Sequence, residues 1–594
     1  MLGPIFVREW RTLPRKSGHY VLRTAYLGAL WVVALTAWQL TLGWGRHATL
    51  GDTARFGQLL FQVLAYVQLT LLPFLSALLV VEAIAQEKDR RTFLLLLLTD
   101  LRAHEIVLGK LVGALLPVGM LLLGSVPVLA LLLLLGGVEP VQVAGVLLIL
   151  AATTVAAGSL GGLMALWRDQ SFPAIALTLL SVALYLCGVQ ALRLVVALPA
   201  LHEWLDPLGA LQSVLDPPRA LGPSLVPALR FALAMMLLSA GLNGVGMWRL
   251  RAWNPRGEPV QQRERPEEED DKERGRSHAA PGPVRPVWAN PILWREVRTR
   301  AYGRRPLLIK TAYFLAFTLL CVYAFTLNGP GRRVPFAAAY GLVPAAILSL
   351  LLVSAQAVSS ITRERDLNSL DLLLVTDLTP REFIFGKLGG IVINTLAYLL
   401  PPLLLAGVYA ARGLLASAPP GRPEDVDAVR NGQALVCVTG TLLVLAAFTM
   451  VLGLHVGLRT EDSRTAVVHV LATVFFLSVG TLVCIGLIVL SGRFEYQWLS
   501  FLVFLGTGVG GLWWVLNGEW SSRMLTIASW VCPFALFYAI LNVLIGKPGT
   551  EESSEPWLPF MVIAGAFGLA IAAMLVPLLS EFDLALGRTG GKNE

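Results

Sequence analysis

EAIAQEKDRRTFLLLLLTDLRAHEIVLGKL (82–111) recurs without a gap as SSITRERDLNSLDLLLVTDLTPREFIFGKL (359–388), at an offset of 277 residues. Identical pairs include Glu87/Glu364, Asp89/Asp366, Thr99/Thr376, Asp100/Asp377, Glu105/Glu382, Gly109/Gly386 and Lys110/Lys387. Leucine-rich segments resemble one another by composition alone. Charges and glycines in register do not, so the block marks an internal duplication. The match extends outward: GPIFVREWRT (3–12) aligns with NPILWREVRT (290–299), and RTAYLGAL (23–30) with KTAYFLAF (310–317), both at an offset of 287. The change of offset is a shorter loop between the first two apolar runs of the second copy.

The duplicated block lies between long apolar runs. Of the 594 residues, 56% are hydrophobic and 14% charged, against about 25% charged in a soluble domain. The mean hydropathy is +0.67. A run such as 111–137 carries no charge, and a bilayer core needs about 20 such residues as a helix. Spans are expected near 21–43, 57–83, 108–136, 140–167, 171–199 and 225–249, then near 307–328, 334–361, 387–411, 432–458, 465–491 and 557–580. Two further runs, 496–517 and 524–545, read either as an extra hairpin across the membrane or as re-entrant helices on the outer face. The expected fold is therefore an all-α polytopic membrane protein of two parallel six-span repeats, about 12 spans or 14 if the hairpin crosses. Residues 1–250 form the first repeat, 251–289 a charged flexible linker, and 290–594 the second repeat with the extra segments 496–545.

Both copies of the block are rich in Lys and Arg and belong on one side of the membrane, which the positive-inside rule makes the cytoplasmic one. The same rule accounts for the net charge of +8 without nucleic acid. It places both termini and the linker in the cytoplasm, with the chain in the cell (inner) membrane. An even number of spans separates the copies, so the repeats are related by an axis along the membrane normal. The linker, with its acidic run Glu267 to Asp271, is too polar to fold on its own. The N-terminal basic stretch reads as a retained first span and not a cleaved leader.

Each repeat opens with an amphipathic basic segment, 3–18 and 290–306, in which Trp10 and Trp294 mix with Arg8, Arg11, Arg295 and Arg298. It suits a helix lying among lipid headgroups, either as an elbow that receives motion from a partner or as a plain topology anchor. In the block itself, Thr92–Thr99 is too short to span and reads as a surface helix turning at Asp100 before the chain re-enters at Gly109-Lys110.

The pattern Glu-(Lys/Arg)-x-x-x-(Thr/Ser), then Leu-Leu-x-Thr-Asp-Leu, then Glu-x-x-x-Gly-Lys resembles the permease subunits of type-2 ABC exporters, including the group associated with multi-copper enzyme maturation. The resemblance covers both repeats, so the chain looks like two permease halves fused in tandem. It implies cytoplasmic coupling helices that seat on a separate ATPase, two copies of which are expected. The ATPase-coupling residues it implies are Glu87, Asp89, Asp100, Glu105, Lys110, Glu364, Asp366, Asp377, Glu382 and Lys387. The sequence departs from the family pattern where Arg91 or Asn368 replaces a glycine, where Asp371 interrupts the leucines of the second copy, and in the extra runs at 496–545.

The chain itself carries no phosphate loop: its Gly-Lys pairs lack a following Ser or Thr and the upstream glycine. His104-Glu105 and His202-Glu203 lack a closing histidine, and the five cysteines (Cys187, Cys321, Cys437, Cys484, Cys532) all sit in apolar runs. No catalytic, cofactor or metal constellation is visible, so the chain is not expected to be an enzyme or to need a cofactor. Gln58, Gln62, Tyr66 and Thr70 recur every four positions along one helix face. They either line a substrate path or hold neighbouring helices together, and Asn243 and Asn394 favour the latter role.

The function expected is the permease of an ATP-driven exporter working by alternating access, with membrane lipids around it and a cargo the sequence does not name. The competing readings are an ion-gradient-driven secondary transporter, which would want buried carboxylates in its spans, and a membrane assembly or anchoring factor without transport.

Overall fold

In hydrocarbon a backbone has no hydrogen-bonding partner but itself, so uncharged apolar runs of this length close into helices. The computed structural model describes residues 3–12, 17–41, 49–90, 92–168, 170–195, 204–217, 222, 224–254, 288–298, 306–327, 338–366, 378–415, 424–460, 462–480, 498–517, 523–545 and 557–580. Among these, every regular element is helical.

The first set comprises α1 (Gly3–Thr12), α2 (Ser17–Thr41), α3 (Leu50–Asp89), α4 (Thr92–Leu98), α5 (Ala103–Leu135), α6 (Pro140–Trp167), α7 (Ser171–Val195), α8 (Pro207–Leu215) and α9 (Val226–Trp253). The second comprises α10 (Pro291–Arg298), α11 (Pro306–Leu327), α12 (Ala339–Asp366), α13 (Pro380–Ala411), α14 (Glu424–Arg459), α15 (Ser463–Phe475), α16 (Trp498–Asn517), α17 (Arg523–Ile545) and α18 (Trp557–Ser580).

Packing follows one scheme in both sets. The α3 helix packs on α5 and α6, and α9 on α6; correspondingly α12 packs on α13 and α14, and α18 on α14. The short helices α1 and α10 lie against α5 and α13. The face on which they sit, where α3 and α12 end, is called the elbow face below. Where helices approach closely the contact residues are small: a Cβ on Gly161 would meet the Ala77 carbonyl oxygen at 2.7 Å, and one on Gly453 the Ala357 Cβ at 2.5 Å. Without a hydrophobic drive between helices in lipid, such close approach supplies the packing. Ser159, Ser239 and Asn243 add a polar join between α6 and α9, with Asn243 Nδ2 donating to Ser159 Oγ at 2.9 Å. Asn394 instead donates to the Gly390 carbonyl of its own helix.

Eleven helices among the described residues are long and apolar enough to cross a membrane; the chain is a multi-pass membrane protein. The α16–α17 pair, which the sequence left open between a crossing hairpin and a re-entrant one, reaches the elbow face. His455 is fully buried near the end of α14, four residues (about 6 Å of rise) before Arg459. Its Nε2 lies 3.1 Å from the carbonyl oxygen of Leu516, one residue from the end of α16. The α16 helix therefore descends almost as far as α14 does, and α17 returns alongside α18, where Cys532 Sγ lies 3.5 Å from the Ala566 carbonyl oxygen. Besides the eleven, the described residues include the helices α2, α16 and α17.

Candidate coupling site

The charged blocks do not leave the bundle as loosely as their composition suggests. The α3 and α12 helices continue unbroken to Asp89 and Asp366, carrying the acidic and basic residues down onto the elbow face. There most of them bind other parts of the chain.

Lys387, 1% exposed, stands at the centre of one cluster. Its Nζ donates to Glu296 Oε1 of α10 at 2.6 Å, to Glu364 Oε1 of α12 at 2.7 Å and to the Ser360 carbonyl at 3.2 Å. Arg295 pairs with Glu364 as well. The corresponding Lys110, 5% exposed, pairs with Glu87 of α3. Glu9 of α1, which matches Glu296 in the duplicated sequence, completes this site. Burial raises its carboxyl, but the Arg8 hydrogen bond and the fields of Lys110, Arg8 and Arg464 outweigh that and hold its pKa below the usual value. In the second set the buried lysine of the third span thus ties the elbow helix to the end of the second span; in the first set it pairs with the end of the second span, and Glu9 of the elbow lies in its field.

The elbow seats on a glycine in each set. A Cβ at Gly113 would meet Glu9 Cγ at 3.0 Å, and one at Gly390 would meet Glu296 Cβ at 2.5 Å. Ile5 and Ile292, aligned residues of the two elbows, are both buried in the same core.

The neighbouring basic residue caps the fourth span. Lys88 Nζ donates to the carbonyls of Leu166 and Arg168 at 2.6 and 2.9 Å, at the end of α6. Its counterpart Arg365 donates to Gly457 and Leu458 at 2.6 and 2.8 Å, and to Thr460, at the end of α14. The unpaired carbonyls of a helix C-terminus attract such cations.

The remaining sequence-derived residues take other positions. Glu105 and Glu382 are N-terminal capping residues: each accepts a backbone N–H at 3.0 Å, from Arg102 and Thr379 respectively. Asp366 accepts from Arg90 Nε at 3.1 Å, while Asp89, its sequence counterpart, is buried. Asp100 is exposed beyond α4. Asp377 and Asp371 lie outside the described residues, as does most of the linker. The structure therefore brings Glu87, Lys110, Glu364 and Lys387 into two matched clusters and does not bring Asp100, Glu105 or Glu382 into them.

Sequence reasoning missed Glu9 and Glu296, although their identity in the aligned elbows was the available signal. On α4, Phe93 and Leu97 are buried while Leu95 and Leu98 are each 62% exposed, leaving an apolar patch on the elbow face. On α3, Gln58, Tyr66 and Thr70 are exposed and Gln62 half-buried, away from the packed side of the helix; Thr70 Oγ1 bonds back to the Tyr66 carbonyl at 2.9 Å. Among the described residues no group of three or more His, Cys, Asp or Glu is arranged to hold a metal.

Residues 334–576 match the family model described as ABC-2 family transporter protein. The matched segment spans α12 to α18, and it supports an ABC-type permease. No curated protein matches the chain.

Proposed function

We propose that the chain is the permease of an ATP-driven exporter, two permease halves fused in tandem, coupled to separate ATPase subunits on the cytoplasmic side and cycling by alternating access. The reading makes the elbow face cytoplasmic, with both termini and the linker beside it in the inner membrane. The observation that carries it is the pair of lysine clusters. A force applied to an elbow or to the block beside it reaches spans two and three as a rigid unit, because the charges that could have frayed are consumed within the chain.

In this reading the charges of the block stiffen the transmission element, and the motor seats on what remains exposed: Leu95, Leu98, Thr99 and Asp100 on the first copy. The exposed α3 stripe of Gln58, Gln62, Tyr66 and Thr70 is proposed to line the cargo path. The test is co-purification of an ATPase with the intact chain and its loss for Leu95→Asp together with Leu98→Asp. Unchanged association, with the fold intact, would remove the coupling assignment.

A second reading has one observation in its favour. Glu82 is 2% exposed within α3, and among the described residues its Oε1 has no hydrogen-bond partner; a carboxylate so placed is what an ion-driven transporter uses. Cargo movement that follows an imposed proton or sodium gradient without ATP, and stops in Glu82→Gln, would favour it.

A further inference from the structure

The helix sets meet along several pairs of helices, α2 with α16 among them, and two of these seams differ in their polar contacts. On one side α7 packs on α11 and α12, and Ala174, Ile175, Leu177 and Leu180 share a single buried core with Ile309, Tyr313 and Leu350. On the other side α3 meets α15; Val81 and Ile84 of α3 and Val467 and Val470 of α15 belong to that same core, and to it this seam adds an aromatic stack and a set of polar contacts. Phe74 and Phe475 stack at 4.0 Å between centroids and 12° between planes. Below them Gln86 Nε2 donates to Asp462 Oδ1 at 2.8 Å. Arg90 then bridges Asp366 at 3.1 Å and Asp462 at 3.6 Å at the elbow face.

We infer that the α3–α15 seam is a one-sided gate, with the Phe74–Phe475 stack as its plug and Arg90 as its latch, and that the apolar α7–α11/α12 seam is the hinge. Arg90 and Asp462 keep 45% and 51% of their side-chain surface exposed, so water replaces their mutual interaction at small cost. Separating the opposite seam would uncover the apolar surface that α7 shares with α11 and α12, at a cost that grows with its area. The α3 helix also contains Pro73 beside the stack, which removes one backbone bond and makes a natural bending point.

The stack, the proline and the latch arginine are not repeated in the sequence of the second copy. At the 277-residue offset Phe74, Pro73 and Arg90 correspond to Leu351, Leu350 and Leu367, and the proline of α12 is Pro344. A chain with two separate halves of one sequence would close by two equal seams; this one has specialised a single seam. In the conformation described here the gate is shut on the elbow side, while Thr70, one turn beyond the stack, remains exposed.

The test needs no motor, so its failure is separable from failure of the permease reading, which the ATPase pull-down decides. In the full-length chain with its native cysteines replaced, Thr70→Cys is labelled with a membrane-impermeant maleimide from one side at a time in oriented vesicles. Labelling is expected from the far side and not from the elbow side. Arg90→Ala and Phe74→Ala should each raise elbow-side labelling about fivefold, and Arg90→Asp combined with Asp462→Arg should restore protection. Leu351→Ala, the counterpart of Phe74→Ala, should leave elbow-side labelling at the starting level. A size-exclusion profile unchanged from the parent keeps misfolded variants out of the comparison. Equal opening by Leu351→Ala overturns the one-sided gate, and so does unchanged protection in all gate variants. Absence of labelling from either side places Thr70 against lipid and overturns it too.

Discussion

Lys387 of α13 lies 2.6 Å from Glu296 of α10, inside a site where both residues are almost fully removed from solvent. The elbow helix is thereby held by a buried ion pair and not by amphipathicity alone. Removing one partner of such a pair typically costs about 3–5 kcal/mol, since the other charge is left uncompensated. Lys387→Met, which leaves Glu296 and Glu364 with Arg295 as their remaining cation, should show a large part of that cost as a lowered midpoint of thermal unfolding in detergent. Adding Glu296→Gln and Glu364→Gln should recover a large part of it. A Lys387→Met chain as stable as wild type would show the cluster to be incidental.

The capping of the fourth spans is unequal, and the difference is measurable. Arg365 donates three hydrogen bonds to the end of α14, Lys88 two to the end of α6. Bonds from a charged donor contribute about 1.5–3 kcal/mol each where water does not replace them. Arg365→Ala should therefore speed amide hydrogen exchange in the last turn of α14 more than Lys88→Ala does in the last turn of α6. Equal effects would mean that solvent already serves those carbonyls.

The short α4 helix separates folding from docking. Phe93 and Leu97 point into the core while Leu95 and Leu98 face outward. Phe93→Asp should lower the yield of folded chain, because it buries a charge without a partner. Leu95→Asp and Leu98→Asp should give normal yields and weaken only the capture of an ATPase. Monodisperse yield and pull-down, measured on the same preparations, check both halves of the expectation.

Acid sensitivity of the α3–α15 seam follows from Asp462. Burial raises its carboxyl, but hydrogen bonds from Gln86 and Thr465 and the charge of Arg90 outweigh this and lower its pKa from the ordinary 3.8. A lowered folded-state value means stability that is present above 3.8 and is lost only as pH falls through the lowered one. Elbow-side protection of Thr70→Cys should accordingly stay level from neutral pH down through the weakly acidic range. Opening above that range would point to a different titrating group.

The sequence by itself determined the class and the duplication. Uncharged runs long enough to cross a bilayer leave a backbone no choice but helix, and a gapless register of Glu87/Glu364 and Lys110/Lys387 marks the repeated block. Tertiary structure decided what those charges do. A carboxylate in a linear string reads alike whether it meets a partner protein, caps its own helix as Glu105 and Glu382 do, or pairs with a lysine on a helix 23 residues on, as Glu87 does with Lys110. Only folding brings Glu9 and Glu296 to those lysines from about 100 residues away, or Arg90 to Asp462 across the two sets. The depth of α16 likewise rested on one contact, His455 with Leu516. Hydropathy gives the length of a helix but not how far into the bundle it descends, because that is fixed by side-chain packing between residues remote in sequence.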